Sequence, residues 1–230
     1  MAGWAEFTAA MVVFLAAHRL PLRPATRARL VATLGEGGFL ALYSALSIAL
    51  LVWLIIAAGR APFVPLWDFA PWHSHLALVL MLAACLLTAG ALAGVNPLSF
   101  GSRTQGFDPA RPGIAGISRH PVLLALFLWG AVHVLANGNL AHLLLFGPMA
   151  AFALLGMALI DRRKRRQWGA QAWHDQARAT SLVPFSALMT GRWRPGRIAV
   201  APLVGGVALW LALIWLHPSV IGVSPLAFGG

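Results

Sequence analysis

Long apolar runs alternate with short polar ones along the whole chain. Six of these runs, residues 4–20, 39–58, 73–93, 120–136, 140–160 and 198–216, match or approach the roughly 20 helical residues needed to cross a hydrocarbon core of about 30 Å. The first and fourth are short, and their ends are expected in the headgroup zone. The pattern predicts an all-α fold, an integral membrane helix bundle with about six transmembrane helices, forming a single membrane domain over residues 1–230. The opening "MAGWAEF" has neither a basic n-region nor a clear cleavage site, so the first run reads as a retained helix rather than a signal peptide. No internal repeat, low-complexity linker or phosphate-cradling glycine loop is seen, and the outer loop 59–72 is too small to fold alone.

Composition agrees with this class: 60% of residues are hydrophobic and 10% charged, against about 25% charged in soluble domains. The basic residues also fix an orientation. Of the 17 Lys and Arg residues, all but Arg60 fall in alternate loops, after the first, third and fifth runs. The positive-inside rule places those loops in the cytoplasm and both termini outside. The net charge of +11 is thus explained by topology and by anionic lipid headgroups at the basic loops, and nucleic acid is not an expected partner. Trp67 and Trp72 flank the outer entrance to the third run, whereas Trp168, Trp173 and Trp193 lie in the basic inner loop, where "RRQWGAQAWHDQ" reads as a short interfacial anchor helix. The one cysteine, Cys85, can form no internal disulfide. "GALAG", residues 90–94, is a small-xxx-small pattern that would admit a neighbouring helix.

The histidines carry the candidate chemistry. Ionisable groups inside a span are costly and usually face the bundle interior or a site. With the orientation above, His18 and His120 share the inner level, while His133 lies about 20 Å further out along the fourth helix. His73, His75 and His142 open their helices at the level of His133. Two neutral imidazoles at one depth on different helices suit the axial positions of a haem iron. Depth therefore favours His18 and His120 as metal ligands, with Arg19 and Arg119 at the same level to pair with propionates. Against this, a membrane histidine is more often an interhelical hydrogen-bonding residue, and such arginines also snorkel to phosphates. The loop 95–119 is long and rich in Gly and Pro, which suits a lid or a re-entrant segment as well as a plain connector. Asn96 and Asn137 at span boundaries suit ligand contacts or helix capping.

Several motifs in order, "AAHRLPLRP", "ALYSALSIALLVWLI", "SRHPVLLALFLWGAVHVLANGN" with "LLLFG", and "TSLVPFSAL", resemble the NnrU family of bacterial membrane proteins over residues 13–188. The resemblance implies a multi-span protein of the inner membrane, with periplasmic termini in the orientation above, linked to denitrification and nitric-oxide metabolism. The same superfamily includes 15-cis-zeta-carotene isomerase, a haem b enzyme whose iron is held by histidines. The histidines here that match its motifs are His18, His120 and His133. Resemblance thus admits His133 where depth favours His120, and a ligand at His133 would call for a partner at outer depth such as His75, or an outward shift of the first helix. Haem b is the implied cofactor, with nitric oxide or a small lipophilic molecule as the implied partner. Haem binding is the firmer inference, and isomerase or oxidoreductase activity is the step beyond it.

"RHP" at a helix start, followed by another span and a basic segment, is also similar to the integral-membrane methyltransferases that use S-adenosylmethionine. Those enzymes usually carry paired glutamates after the last catalytic span, whereas "DRRKRRQ" here has one acid, Asp161. A third reading, a non-catalytic assembly factor or a transport component, fits the lack of a visible nucleophile and base constellation.

Overall fold

The structure is a computed structural model that describes residues 2–21, 23–197 and 199–226. It is all-helical: α1 (Ala2–Arg19), α2 (Pro24–Arg60), α3 (Pro71–Ala93), a 3-10 turn (Gly113–Gly116), α4 (Pro121–Asn137), α5 (Leu140–Trp168), α6 (Ala170–Ala177), α7 (Ser186–Met189) and α8 (Val200–Ile221). Proline occupies the first position of α2, α3 and α4, where its missing N–H costs nothing and its φ is already helical. All six predicted runs are helices. Four of them, α2, α3, α5 and α8, are long and apolar enough to cross a membrane, and α4 is a shorter apolar helix. With 17 residues, α4 extends about 25 Å. The 18 residues of α1 include Glu6, His18 and Arg19, which dilute its apolar character. Ile198, the predicted start of the sixth run, lies outside the described residues.

The chain divides into two compact units, Met1–Asp68 with Gly138–Leu145, and Phe69–Asn137 with Phe146–Gly230. In the first, α1 packs on α2. The Arg60 guanidinium donates to Glu6 at 3.2 Å, and the Tyr43 hydroxyl reaches the His18 carbonyl at 3.5 Å, so the two helices run antiparallel. The second helix starts fifteen residues before the predicted span, but it is not one rod. Gly35 takes φ 71, ψ 167 and divides it, and an ion pair from Arg27 to Glu36 crosses the bend. In the same unit Leu140 N–H donates to Val64 O at 2.9 Å and Leu66 N–H to Gly138 O at 2.8 Å. Gly138 is required there: its φ is +60, and a Cβ would lie 2.5 Å from the Trp67 carbonyl oxygen.

In the second unit α3 packs against α4 and α8. Its core joins Ala84 and Leu87 of α3, Leu123, Leu124 and Ala125 of α4, and Ala153 and Met157 of α5. Most other large apolar side chains of the long helices are exposed, as expected for surfaces solvated by lipid rather than water. Small residues set the close approaches. Gly206 of α8 leaves only 2.9 Å between a built Cβ and Leu86 Cα, and the Trp210 indole donates to Leu78 O at 3.1 Å. The Gly90 and Gly94 pair meets the Ile114 side chain of the 3-10 turn, at 3.0 and 3.3 Å from their built Cβ positions. The small-xxx-small pair thus admits the 3-10 turn rather than the neighbouring helix its pattern predicts. The basic anchor segment also differs from expectation, because α5 continues to Trp168, Gly169 at φ 85 breaks it, and α6 follows. Trp173 and Trp193, expected as lipid anchors, are buried in protein.

Candidate functional site

The start of α4 is where the second unit concentrates its polar atoms. Pro121 disfavours helical backbone for the residue before it, so α4 begins at Pro121 and Arg119 and His120 lie in the non-helical segment ahead of it. Backbone groups hold that segment from two sides: Arg119 N–H donates to Ser181 O at 2.8 Å, and the Asn96 amide donates to Arg119 O at 2.9 Å. Asn96 in turn accepts from Leu98 N–H at 3.1 Å, so its role is to tie the end of α3 to the start of α4. This link makes the packed pair antiparallel. The basic ends of α3, α4 and α5 therefore gather at one end of this unit, as the alternating charge pattern requires.

Asp161 of α5 is the centre of the cluster. One of its oxygens accepts from Arg119 Nη1 and the other faces His120 Nε2 at 3.1 Å. His120 Nδ1 meets Ser99 Oγ at 2.9 Å, and Arg119 Nε donates to Thr180 Oγ1 at 2.8 Å. Thr180 passes its own proton to Ala177 O at 2.7 Å. With Nε2 protonated toward the carboxylate, a neutral His120 has Nδ1 left to accept the Ser99 hydroxyl proton. The imidazole is 0% exposed and Arg119 8%. Burial pushes the Arg119 guanidinium below its ordinary value, Asp161 opposes that shift, and Arg192 and Arg165 add repulsion. Both Arg119 and Arg165 also lie against the Trp173 ring, at 4.7 and 4.2 Å from its centroid.

Thirteen residues on, His133 has a different environment. Its Nδ1 lies 2.7 Å from the Trp129 carbonyl oxygen one turn back, and its ring packs on Trp129 and Phe146 with centroids 5.4 and 4.7 Å away. A carbonyl can only accept, so Nδ1 carries the proton and Nε2 is the basic nitrogen. His18 repeats the arrangement in its own unit, with Nδ1 at 2.7 Å from Phe14 O. His73 has the opposite tautomer, because its Nδ1 accepts from Ala70 N–H at 3.1 Å. His75 is exposed at the start of α3, Arg19 is exposed, and His142 Nδ1 faces Asn139 Oδ1 at 2.9 Å. Asn137 caps the end of α4 by donating to His133 O at 2.7 Å.

These tautomers test the residues against a haem iron. A ligating imidazole presents a basic nitrogen to the metal and usually donates its other N–H to a carbonyl or carboxylate. His133 and His18 meet that requirement. His120 does not fit, because its Nε2 is turned to Asp161, its Nδ1 to Ser99, and no face of the ring is accessible. The expected pairing of His18 with His120 also draws on both units, and only His18 has the suitable tautomer. Among the described residues there is no group of three or more His, Cys, Asp and Glu side chains that would hold a metal ion by itself. In the sequence Asp161 stands only as a lone acid, and no motif marks Ser99 or Thr180. The available signal was that Asp161 is one of 6 acids in the chain and closes an apolar run.

No curated protein and no solved structure matches the chain. The NnrU protein family matches residues 6–225, nearly the whole length, and on that span the chain belongs to the NnrU family.

Proposed function

We propose that this NnrU-family protein binds haem b in the bacterial inner membrane and serves nitric-oxide-related metabolism, acting as an isomerase or oxidoreductase on a small or lipophilic molecule. The observation that carries the reading is the His133 imidazole, whose Nδ1–H is committed to the Trp129 carbonyl at 2.7 Å and whose basic nitrogen is therefore Nε2. The hydrogen bond fixes the ring plane and raises the basicity of the ligating nitrogen. Trp129 and Phe146 pack on the same ring, which restrains its rotation. When bound, haem supplies a redox-active and Lewis-acidic iron. A second ligand would come from His75, exposed at the start of α3 and at the His133 end of the α3–α4 pair. The basic loops face the cytoplasm and both termini the periplasm, on the strength of the charge alternation.

The test is the visible spectrum of protein purified in mild detergent with adequate haem supply. Wild type is expected to show a Soret band that shifts on reduction. His133→Ala should lose it, while His120→Ala retains it, and the His75→Ala spectrum tests the second ligand. A colourless wild type that takes up no haem on titration would sink the reading.

One observation favours a second reading. The Arg119–His120 segment meets Asp161, so the two stretches that the methyltransferase resemblance pairs do come together. Equilibrium binding of S-adenosylmethionine to the purified protein separates the two readings. A protein that binds neither haem nor S-adenosylmethionine would fit an assembly factor.

A further inference from the structure

The charges around Trp173 do not balance. Arg119, Arg165 and Arg192 gather at this end of the second unit, close enough that Arg165 and Arg192 both repel the Arg119 guanidinium. The one carboxylate engaged with them is Asp161, whose two oxygens are already taken by Arg119 and His120. Asp175, two residues beyond Trp173, accepts from Gln171 on the exposed side of α6. Two positive charges are therefore left without a carboxylate beside the buried Arg119 guanidinium.

A second, independent observation comes from the indole. Trp173 is 7% exposed, and its Nε1–H has no hydrogen-bond acceptor among the described residues. A buried N–H without a partner is unusual in a folded protein and calls for an explanation. The indole ring is also the surface on which Arg119 and Arg165 rest, at 4.7 and 4.2 Å. Arg165 and Arg192 are exposed, so the cluster is open to solvent above a buried floor of Arg119, Trp173 and Thr180. Arg192 is held in place by donating to Thr180 O at 3.0 Å and to Thr190 Oγ1 at 3.0 Å.

We infer that this cluster is a binding site for a phosphate oxyanion, taken from an anionic lipid headgroup or from a soluble phosphate compound. A tetrahedral anion offers several acceptor oxygens, which suits planar guanidinium donors and the orphan indole N–H together. It also neutralises the charge excess that Asp161 leaves. The site is separate from the haem reading and uses none of its ligands.

The test uses the full-length protein, delipidated in a neutral, phosphate-free detergent. Thermal unfolding is followed while dioleoylphosphatidylglycerol is titrated as mixed micelles, and separately while inorganic phosphate is titrated at constant ionic strength. The expected result is saturable stabilisation by at least one probe. Arg165→Gln should weaken it by about tenfold or more in apparent affinity, while Arg162→Gln and Arg163→Gln leave it unchanged. A response to lipid alone identifies a headgroup, and a response to phosphate identifies a site open to soluble ligands. Arg165 is exposed and touches the fold through the Trp173 ring, so its replacement leaves the bond from Arg119 to Asp161 in place, and Arg165→Lys should recover part of the affinity. An equal loss in Arg162→Gln would reduce the effect to general surface charge and overturn the site. So would wild-type behaviour of Arg165→Gln, or no saturable response to either probe.

Discussion

The two ends of α4 hold the same residue in opposite chemical settings. At its start His120 is fully buried, with one nitrogen on a carboxylate and the other on a hydroxyl. Near its end His133 is half-buried, with one nitrogen on the carbonyl of its own helix and its ring against two aromatic side chains. The first imidazole is used up by the fold. The second is oriented through Nδ1–H by the carbonyl of its own helix, which makes Nε2 the unprotonated nitrogen, the tautomer that a ligand to iron requires. Burial and fixed geometry alone therefore do not mark a cofactor site. What distinguishes the two ends is which nitrogen the surroundings protonate and whether an acid has already claimed the other.

The largest expected effect breaks the first end. Asp161→Ala leaves the Arg119 guanidinium buried with its counter-charge removed and deprives His120 of a partner. A loss of this kind costs about 3–5 kcal/mol, read as a fall in thermal or denaturant stability in detergent. Asp161→Asn keeps an oxygen for one of the two donors and should cost less. If Asp161→Ala were tolerated within about 1 kcal/mol, the network would not be the lock that its geometry suggests.

Steric substitutions sharpen the same contrast at a smaller scale. Gly116 precedes α4, and a Cβ built there runs into the Trp193 ring, itself buried at 8% exposure. Gly130, one turn before His133, faces Ala150 Cβ at 3.1 Å and Phe146 O at 3.1 Å. Overpacking a rigid buried ring costs about 1–3 kcal/mol, so Gly116→Ala should destabilise clearly. Gly130→Ala asks its neighbours for only a few tenths of an ångström and should cost less. Comparison of the two midpoints decides the order. A larger loss for Gly130→Ala would mean that the His133 end is the stiffer of the two.

The helices were legible because lipid solvation demands continuous apolar runs, and every run in the sequence became a helix. The break at Gly169 was not, since a single glycine inside a polar, basic run gives no periodicity change to read, and "GEGG" over residues 35–38 reads equally as a loop before the span and as a bend within a longer helix. The polar site was half legible. Arg119 and His120 stood out beside Pro121, but their partners Ser99, Asp161 and Thr180 come from three other segments, and no spacing rule connects them. Depth along a helix, used to pair His18 with His120, orders residues along one axis only. It carries no information on tautomer, and it is the tautomer that turns the ligand assignment toward His133. Trp173 and Trp193 were misread for a related reason: an indole in a basic loop looks interfacial until the loop folds back over it.

The smallest effect comes from the exposed ion pair in the loop 95–119, and it calibrates the buried one. Asp108 accepts from Arg111 Nε at 2.8 Å and from Ala110 N–H at 2.9 Å, and the Arg111 hydrogen bond foremost holds its carboxyl below the ordinary value. Because the folded pKa is the lower one, the pair contributes stability above the unfolded carboxylate's pKa and loses it as pH falls through the folded value. The loss belongs to the acid range below about pH 4. Arg111 is open to solvent, its side chain 88% exposed, so salt and water screen the interaction. Asp108→Asn should therefore lower the unfolding midpoint only slightly at pH 7, and the gap from wild type should narrow as pH falls into the acid range below about 4. High salt should shrink it further at neutral pH. The Asp161→Ala deficit, by contrast, should persist in high salt, because water does not reach that pair freely. A salt-sensitive Asp161→Ala deficit, or an Asp108→Asn cost of the same size, would mean that burial does not separate the two ion pairs, and the argument for a protein-satisfied network at the head of α4 would fail with it.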